Sequence, residues 1–289
     1  MNHALQLVSS RNSDSVYSQM KSYYDFNHEL IWCYMHGKPR PCFTSTLLHE
    51  INLWLHEVAQ EVDTDDGNDI QYLVSASKVP GIFSLGGDLD FFSRLIGSRN
   101  RQGLYRYMKA CIDVLHSNAT GLNRNITTIS LVQGKALGGG FETALSSHVL
   151  IAERSARMGF PEILFNLFPG MGAYSFLSRK LDGSRAERLM LSGKIMTAEE
   201  LYEMGVVDVL AEDGEGEKAV YDYIKRENRA KNGFRAVRAV RERCNPVSYD
   251  ELMDIGQIWV DTAMKLTDRD LRMMHRLVSR QTNQRYASV

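Results

Sequence analysis

The stretch QGKALGGGFETALSSHVLIAERSARMGFPEILFNLFPGMG, residues 133 to 172, governs the reading of this chain. Three consecutive glycines, Gly138 to Gly140, end an apolar run and lead directly into Phe141 and Glu142. Twenty positions further on, Glu162 follows Pro161 and opens a second apolar stretch. Glycine lets a bound molecule approach the main chain and tolerates dihedrals closed to other residues. Main-chain N–H groups at such turns can hold the negative charge that develops on a carbonyl oxygen. Two acids near helix starts can serve as general acid and base, provided burial or mutual repulsion separates their protonation behaviour. The combination points to chemistry on a carbonyl compound. GGGFET lacks the G-x-G-x-x-G spacing, so dinucleotide binding is not expected.

Upstream, ITTISLVQG (Ile126 to Gly134) predicts a strand leading into this stretch. Before it, a helix from Arg101 to Ser117 puts Leu104, Met108, Cys111, Ile112 and Leu115 on one face. In IFSLGGDLDFF, Gly86 and Gly87 follow an extended apolar segment and Asp88 stands where a helix can begin. Two more strands are expected at His28 to Gly37 and Ile70 to Ser77. Between them, Thr44 or Ser45 caps a helix with Leu47, Leu48, Ile51, Leu55 and Val58 at helical spacing, and an acidic turn, DTDDGND, follows. Residues 1–26 read as a partly ordered N-terminal arm.

Downstream, AERLMLSG ends in Gly193, a helix stop, and Thr197 with Glu200 forms a capping-box pair. VVDVL (Val206 to Leu210) predicts a short buried strand. Helices follow almost to the end. One, over 248–266, aligns Leu252, Gly256, Trp259, Ala263 and Leu266; the next, over 267–285, carries Leu271, Met274 and Val278. Strands each followed by a helix, then a helical tail, give an α/β fold with an α-helical C-terminal region. No internal repeat of fixed period is visible.

At 289 residues, with 44% hydrophobic and 24% charged residues, the composition is that of a globular protein. A net charge of −1 gives no basis for a nucleic-acid or anionic-membrane partner. No apolar run reaches the ~18 residues of a membrane span, and the Ser-, Asn- and Tyr-rich start lacks a signal core, so a cytoplasmic protein is expected. Cys33, Cys42, Cys111 and Cys244 fall at no metal or redox spacing and read as reduced thiols. The eight histidines are scattered. No metal, flavin or nicotinamide cofactor is expected.

ALGGGFETALSSHVLIA, PEILFNLFPGMG and TAEELYEMGVVDVL together resemble the enoyl-CoA hydratase/isomerase (crotonase) superfamily, and FSLGGDL sits at that family's first glycine loop. The match covers residues 27–212 and leaves 213–289 as a helical C-terminal region. It implies a spiral of strand-strand-helix units assembled as trimers or paired trimers. It also implies an oxyanion hole from the N–H groups of Gly87 and Gly139, with Glu142 and Glu162 as the two hydratase carboxylates. The sequence departs from the common pattern at SLGGD, at Asn166 and at Met171. Phe165, Phe168 and Met171 make that neighbourhood bulky, suiting either core packing or the wall of a long acyl pocket.

A closer resemblance is to the diffusible-signal-factor synthases of bacterial cell-cell signalling, carried by RPCF (Arg40 to Phe43), FSLGGDLDFF, GFPE, LFPGMGAYSF and IWVDTAM. It implies dehydration of a 3-hydroxyacyl thioester, on acyl carrier protein or CoA, to the cis-2-enoyl form, followed by thioester hydrolysis. Met171, Trp259 and Leu277 match acyl-pocket residues, and a sensor-kinase receiver domain is an implied partner. The alternatives are an enoyl-CoA hydratase of fatty-acid breakdown and a crotonase-fold regulatory binding protein.

Overall fold

The computed structural model describes residues 6–7, 17–63 and 70–283. Its strands are β1 (Gln6–Leu7), β2 (Met20–Asp25), β3 (Leu30–Met35), β4 (Tyr72–Ser77), β5 (Gly81–Ser84) and β6 (Thr127–Val132). They continue with β7 (Gly134–Leu137), β8 (Val149–Glu153), β9 (Arg157–Gly159), β10 (Ile195–Thr197) and β11 (Val209–Ala211). The helices are α1 (Ser45–Val62), α2 (Leu89–Gly97), α3 (Arg101–Ala119), α4 (Gly139–Leu145), α5 (Ala173–Lys180) and α6 (Gly183–Ser192). After α7 (Ala198–Glu203), the chain ends in α8 (Gly216–Arg229), α9 (Lys231–Cys244), α10 (Tyr249–Ala263) and α11 (Asp268–Asn283).

One sheet runs β1-β2-β3-β4-β6-β8-β11 and a smaller one β10-β9-β7-β5. From β3 to β11 the large sheet is parallel. The chain therefore lays β4, β6 and β8 in the large sheet and the strands that follow them, β5, β7 and β9, in the small one. Each pair then passes into helix, giving the turns of the expected crotonase spiral.

Parallel strands covered on both faces read as continuous apolar runs. Cross-strand neighbours Trp32, Val74, Ile129 and Val149 form one row across the sheet, buried under Val220, Tyr223 and Ile224 of α8. The opposite face carries the larger core, where α1, α3 and α10 pack. Close approach of α10 to α3 depends on Gly256, where a Cβ would meet Met108 Sδ at 2.5 Å.

Local signals hold where side chains make the caps. Thr44 Oγ1 accepts the Leu47 N–H at 3.0 Å, Asp88 Oδ1 accepts that of Phe91 at 3.1 Å, and Thr197 with Glu200 forms the capping box. Two expectations need correction. Met20–Asp25, expected in the arm, is β2, paired antiparallel with β3 so that alternate side chains reach the core. The strand expected at Val206 to Leu210 starts later, because the N–H groups of Val206 and Val207 both bond to Leu201 O at the end of α7. Residues 1–5 and 8–16 of the arm, and 64–69 of the acidic turn, lie outside the described residues. Among the described residues no helix is long and apolar enough to cross a membrane.

Candidate active site

The site forms where β7 turns into α4. Gly138 makes that turn at φ +52 and ψ −124, a conformation L side chains rarely adopt. A Cβ there would also sit 2.2 Å from Glu162 Oε1. Glycine at 138 thus serves the backbone and makes room for the second carboxyl.

Glu142, in the first turn of α4, is 2% exposed. Its Oε1 accepts the N–H groups of Met171 at 2.8 Å and Ala173 at 3.0 Å, so the PGMG loop closes onto it. Burial pushes its pKa up to about 7, against the opposing pull of those main-chain hydrogen bonds. Glu162 opens the short 3-10 helix Glu162–Phe165. Burial of the carboxyl, then the charge of Glu142, push its pKa up to about 8. Its Oε2 is enclosed and has no hydrogen-bond partner. Two main-chain donors favour the ionised form of Glu142, whereas on Glu162 a hydrogen bond from its own main chain is outweighed by burial and by the charge of Glu142. The surroundings therefore favour charge on Glu142 over charge on Glu162.

The glycine loop after β5 faces the start of α4. A Cβ on Gly86 would lie 3.1 Å from Gly139 N, and one on Gly139 would lie 3.5 Å from Gly87 N. Glycine at 139 keeps the space above the Gly87 amide open. As the first residue of α4, Gly139 has no acceptor for its N–H inside the helix.

A cavity of about 20 Å³, room for one water, touches Gly87, Gly139, Glu142, Thr143 and Met171. Its remaining wall is Phe43, Leu48 of α1, and Tyr107, Cys111, Val114 and Leu115 of α3. Of the five residues expected to line an acyl pocket, Met171 alone is in this wall. Trp259 lies behind it, against Gly170, whose Cβ would come within 2.4 Å of the Trp259 Cβ, and against the Phe92 ring at 5.2 Å. Phe165 is buried in the core, and Phe168 and Leu277 pack on it half-buried. The core-packing alternative thus describes Phe165, Phe168 and Leu277 in this conformation.

Sequence reasoning passed over the α3 side of the wall and the segment behind the glycine loop. Arg40 Nη2 bonds Asp88 Oδ1 at 2.8 Å, and its other nitrogen bonds Asp90. Phe43 N–H bonds Gly86 O at 2.8 Å, and Leu85 N–H bonds Pro41 O at 2.7 Å. The available signals were a hydroxyl, Tyr107, on the apolar stripe of α3, and an arginine beside the proline of RPCF.

The two glycine turns thus lie close together, with Glu142 on the same small cavity and the Glu162 carboxyl against Gly138. The chain belongs to the enoyl-CoA hydratase/isomerase family, whose sequence pattern matches residues 40–248. Over 151 residues it is 30% identical to the mitochondrial methylglutaconyl-CoA hydratase of Mus musculus, covering 52% of this chain and 46% of that one. The chain spans about half the length of the curated relatives it matches. The crystal structure of human mitochondrial delta3-delta2-enoyl-CoA isomerase superposes with a TM-score of 0.75 at 16% identity, covering 92% of this chain and 99% of that one. Pseudomonas aeruginosa DspI does so with a TM-score of 0.58 at 22% identity, covering 85% and 87%. These likenesses establish the crotonase fold.

Proposed function

We propose that this chain dehydrates a 3-hydroxyacyl thioester, on carrier protein or CoA, to the cis-2-enoyl thioester and then hydrolyses it to a free unsaturated acid of the diffusible-signal-factor type. The observation that carries this reading is the pairing of two enclosed carboxyls, Glu142 and Glu162, with raised pKa values and no cation among their hydrogen-bond partners in the described residues. The branch phrases from RPCF to IWVDTAM support the substrate class.

In the first step ionised Glu162 removes the α-proton while the N–H groups of Gly87 and Gly139 hold the enolate oxygen. The β C–O bond breaks as Glu142 gives its proton to the departing hydroxyl, which leaves as water. Glu162 is now protonated and Glu142 ionised, the arrangement the resting site favours. That is also the state hydrolysis requires. Glu142 takes a proton from a water attacking the thioester carbon, the same amides hold the tetrahedral oxyanion, and Glu162 protonates the departing thiolate. The cycle ends with both groups reset for another dehydration. Each step uses the same donors and moves the pair's proton in the opposite direction.

Mixing purified protein with 3-hydroxydodecanoyl-carrier protein tests this reading. Mass spectrometry is expected to find both a 2-enoyl product and free acid; finding neither counts decisively against it. A second reading, an enoyl-CoA hydratase of fatty-acid breakdown, is favoured by surroundings that prefer charge on Glu142 over charge on Glu162, which suits Glu162 to deliver a proton to an α-carbon. Turnover of crotonyl-CoA far above that of any carrier-protein thioester would support it instead. Assembly as a trimer or paired trimers belongs to the proposal, and α9, which buries no residue and exposes Val237 and Val240, offers a surface for it.

A further inference from the structure

We infer that Tyr107, with Arg40 behind it, is a positioning residue that orients the Gly87 amide; the inference rests on reading that amide as an oxyanion donor. In a planar trans peptide the C=O and N–H point in opposite directions. The Gly86–Gly87 peptide has its carbonyl tied to Phe43, whose N–H donates to Gly86 O at 2.8 Å. Its N–H, on Gly87, therefore points away from Phe43, and a Cβ on Gly139 would lie 3.5 Å from that nitrogen. The aim of the donor is set by where Phe43 is held.

Tyr107 holds it. The phenol, buried on α3, donates to Phe43 O and accepts the Asp88 N–H at 3.4 Å. One hydroxyl thus fixes the residue that anchors the Gly86 carbonyl and also the peptide that follows Gly87. Arg40 closes the other end, gripping Asp88, the cap of α2, and Asp90. Each tie spans different elements: α3 to the 40–43 segment, and that segment to α2. The Tyr107 proton is committed to Phe43 O, which leaves the hydroxyl no proton to give the substrate. Its role is therefore exerted through Gly87.

Tyr107→Phe keeps the ring, with its edge contact to Phe92 at 4.9 Å, and removes only the hydroxyl. The probe is an acetoacetyl thioester, offered both on CoA and on carrier protein, whose bound enolate is read in the near ultraviolet whichever reaction the enzyme catalyses. Wild type is expected to enolise the bound probe. Tyr107→Phe should bind it with nearly unchanged affinity and enolise it roughly tenfold less, part of the hundred- to thousand-fold cost of losing a donor outright. Arg40→Met should show a smaller loss that Arg40→Lys partly restores. Equal enolisation by wild type and Tyr107→Phe would overturn the inference and leave the oxyanion reading standing. Loss of affinity in step with melting temperature would also overturn it, as a merely structural effect. Failure of wild type to enolise either thioester would overturn both.

Discussion

Two buried glutamate sites in this molecule are treated in opposite ways. Glu227, 1% exposed on α8, accepts Thr127 Oγ1 at 2.9 Å and Arg238 Nη2 of α9 at 3.0 Å. Glu142 is buried and Glu162, half-buried as a residue, has its Oε2 enclosed; neither has a cation among its hydrogen-bond partners in the described residues, and the charge of Glu142 raises the pKa of Glu162. An arginine balances the first site, joining two helices. A proton must balance the second, and a proton can be passed on. A buried acid denied a cation is where the chain gives up stability for chemistry.

The contrast should be widest in activity. Glu142→Ala and Glu162→Ala are each expected to cost about 10²–10⁴-fold in dehydration, measured as enoyl product per folded enzyme. Glu227→Ala should leave that rate near wild type. In stability the order reverses. Glu227→Ala strands Arg238, only 10% exposed at its side chain, and is expected to lose about 3–5 kcal/mol in urea denaturation. A loss no larger than that of an average surface change would break the comparison.

The pH dependence sharpens it. With one proton shared, kcat/KM should be bell-shaped, falling below about 7 as both carboxyls take protons and above about 8 as both lose them. A flat profile across that range would remove the shared proton from the account. The smallest effect concerns stability. A carboxyl raised from 4.5 to about 8 ionises more readily unfolded than folded, so its contribution is intact below 4.5 and lost as pH rises to about 8. Glu162→Gln should therefore melt above wild type at pH 8, with the gain shrinking toward pH 4.5.

Much of the fold was legible in the sequence because its signals are local. The caps at Thr44, Asp88 and Thr197 need only a short polar side chain before a helix. The spiral was not legible in periodicity. Strands β5, β7, β9 and β10 are three or four residues long, too short to show a period, and their partners lie far along the chain. In the site, the glycines and both acids could be read because each is chemically unusual where it stands. Tyr107 could not, since it shares the Leu104–Met108–Cys111 stripe and differs by one hydroxyl whose partners come from the 43 and 88 positions. Of the expected acyl wall, Met171 borders the cavity while Phe165 lies in the core: bulky residues after Pro161 signal burial, and only coordinates distinguish a core from a cavity.

The central claim is that Glu142 and Glu162 keep a proton between them near neutral pH. A carbon-13 titration of glutamate side-chain carboxyls, with Glu142→Gln and Glu162→Gln for assignment, tests it most directly. Two resonances titrating in the region of 7 to 8, each lost in its own variant, are the expected result. If instead both carboxyls ionise together near the ordinary 4.5, the pair holds no proton to pass and the account fails.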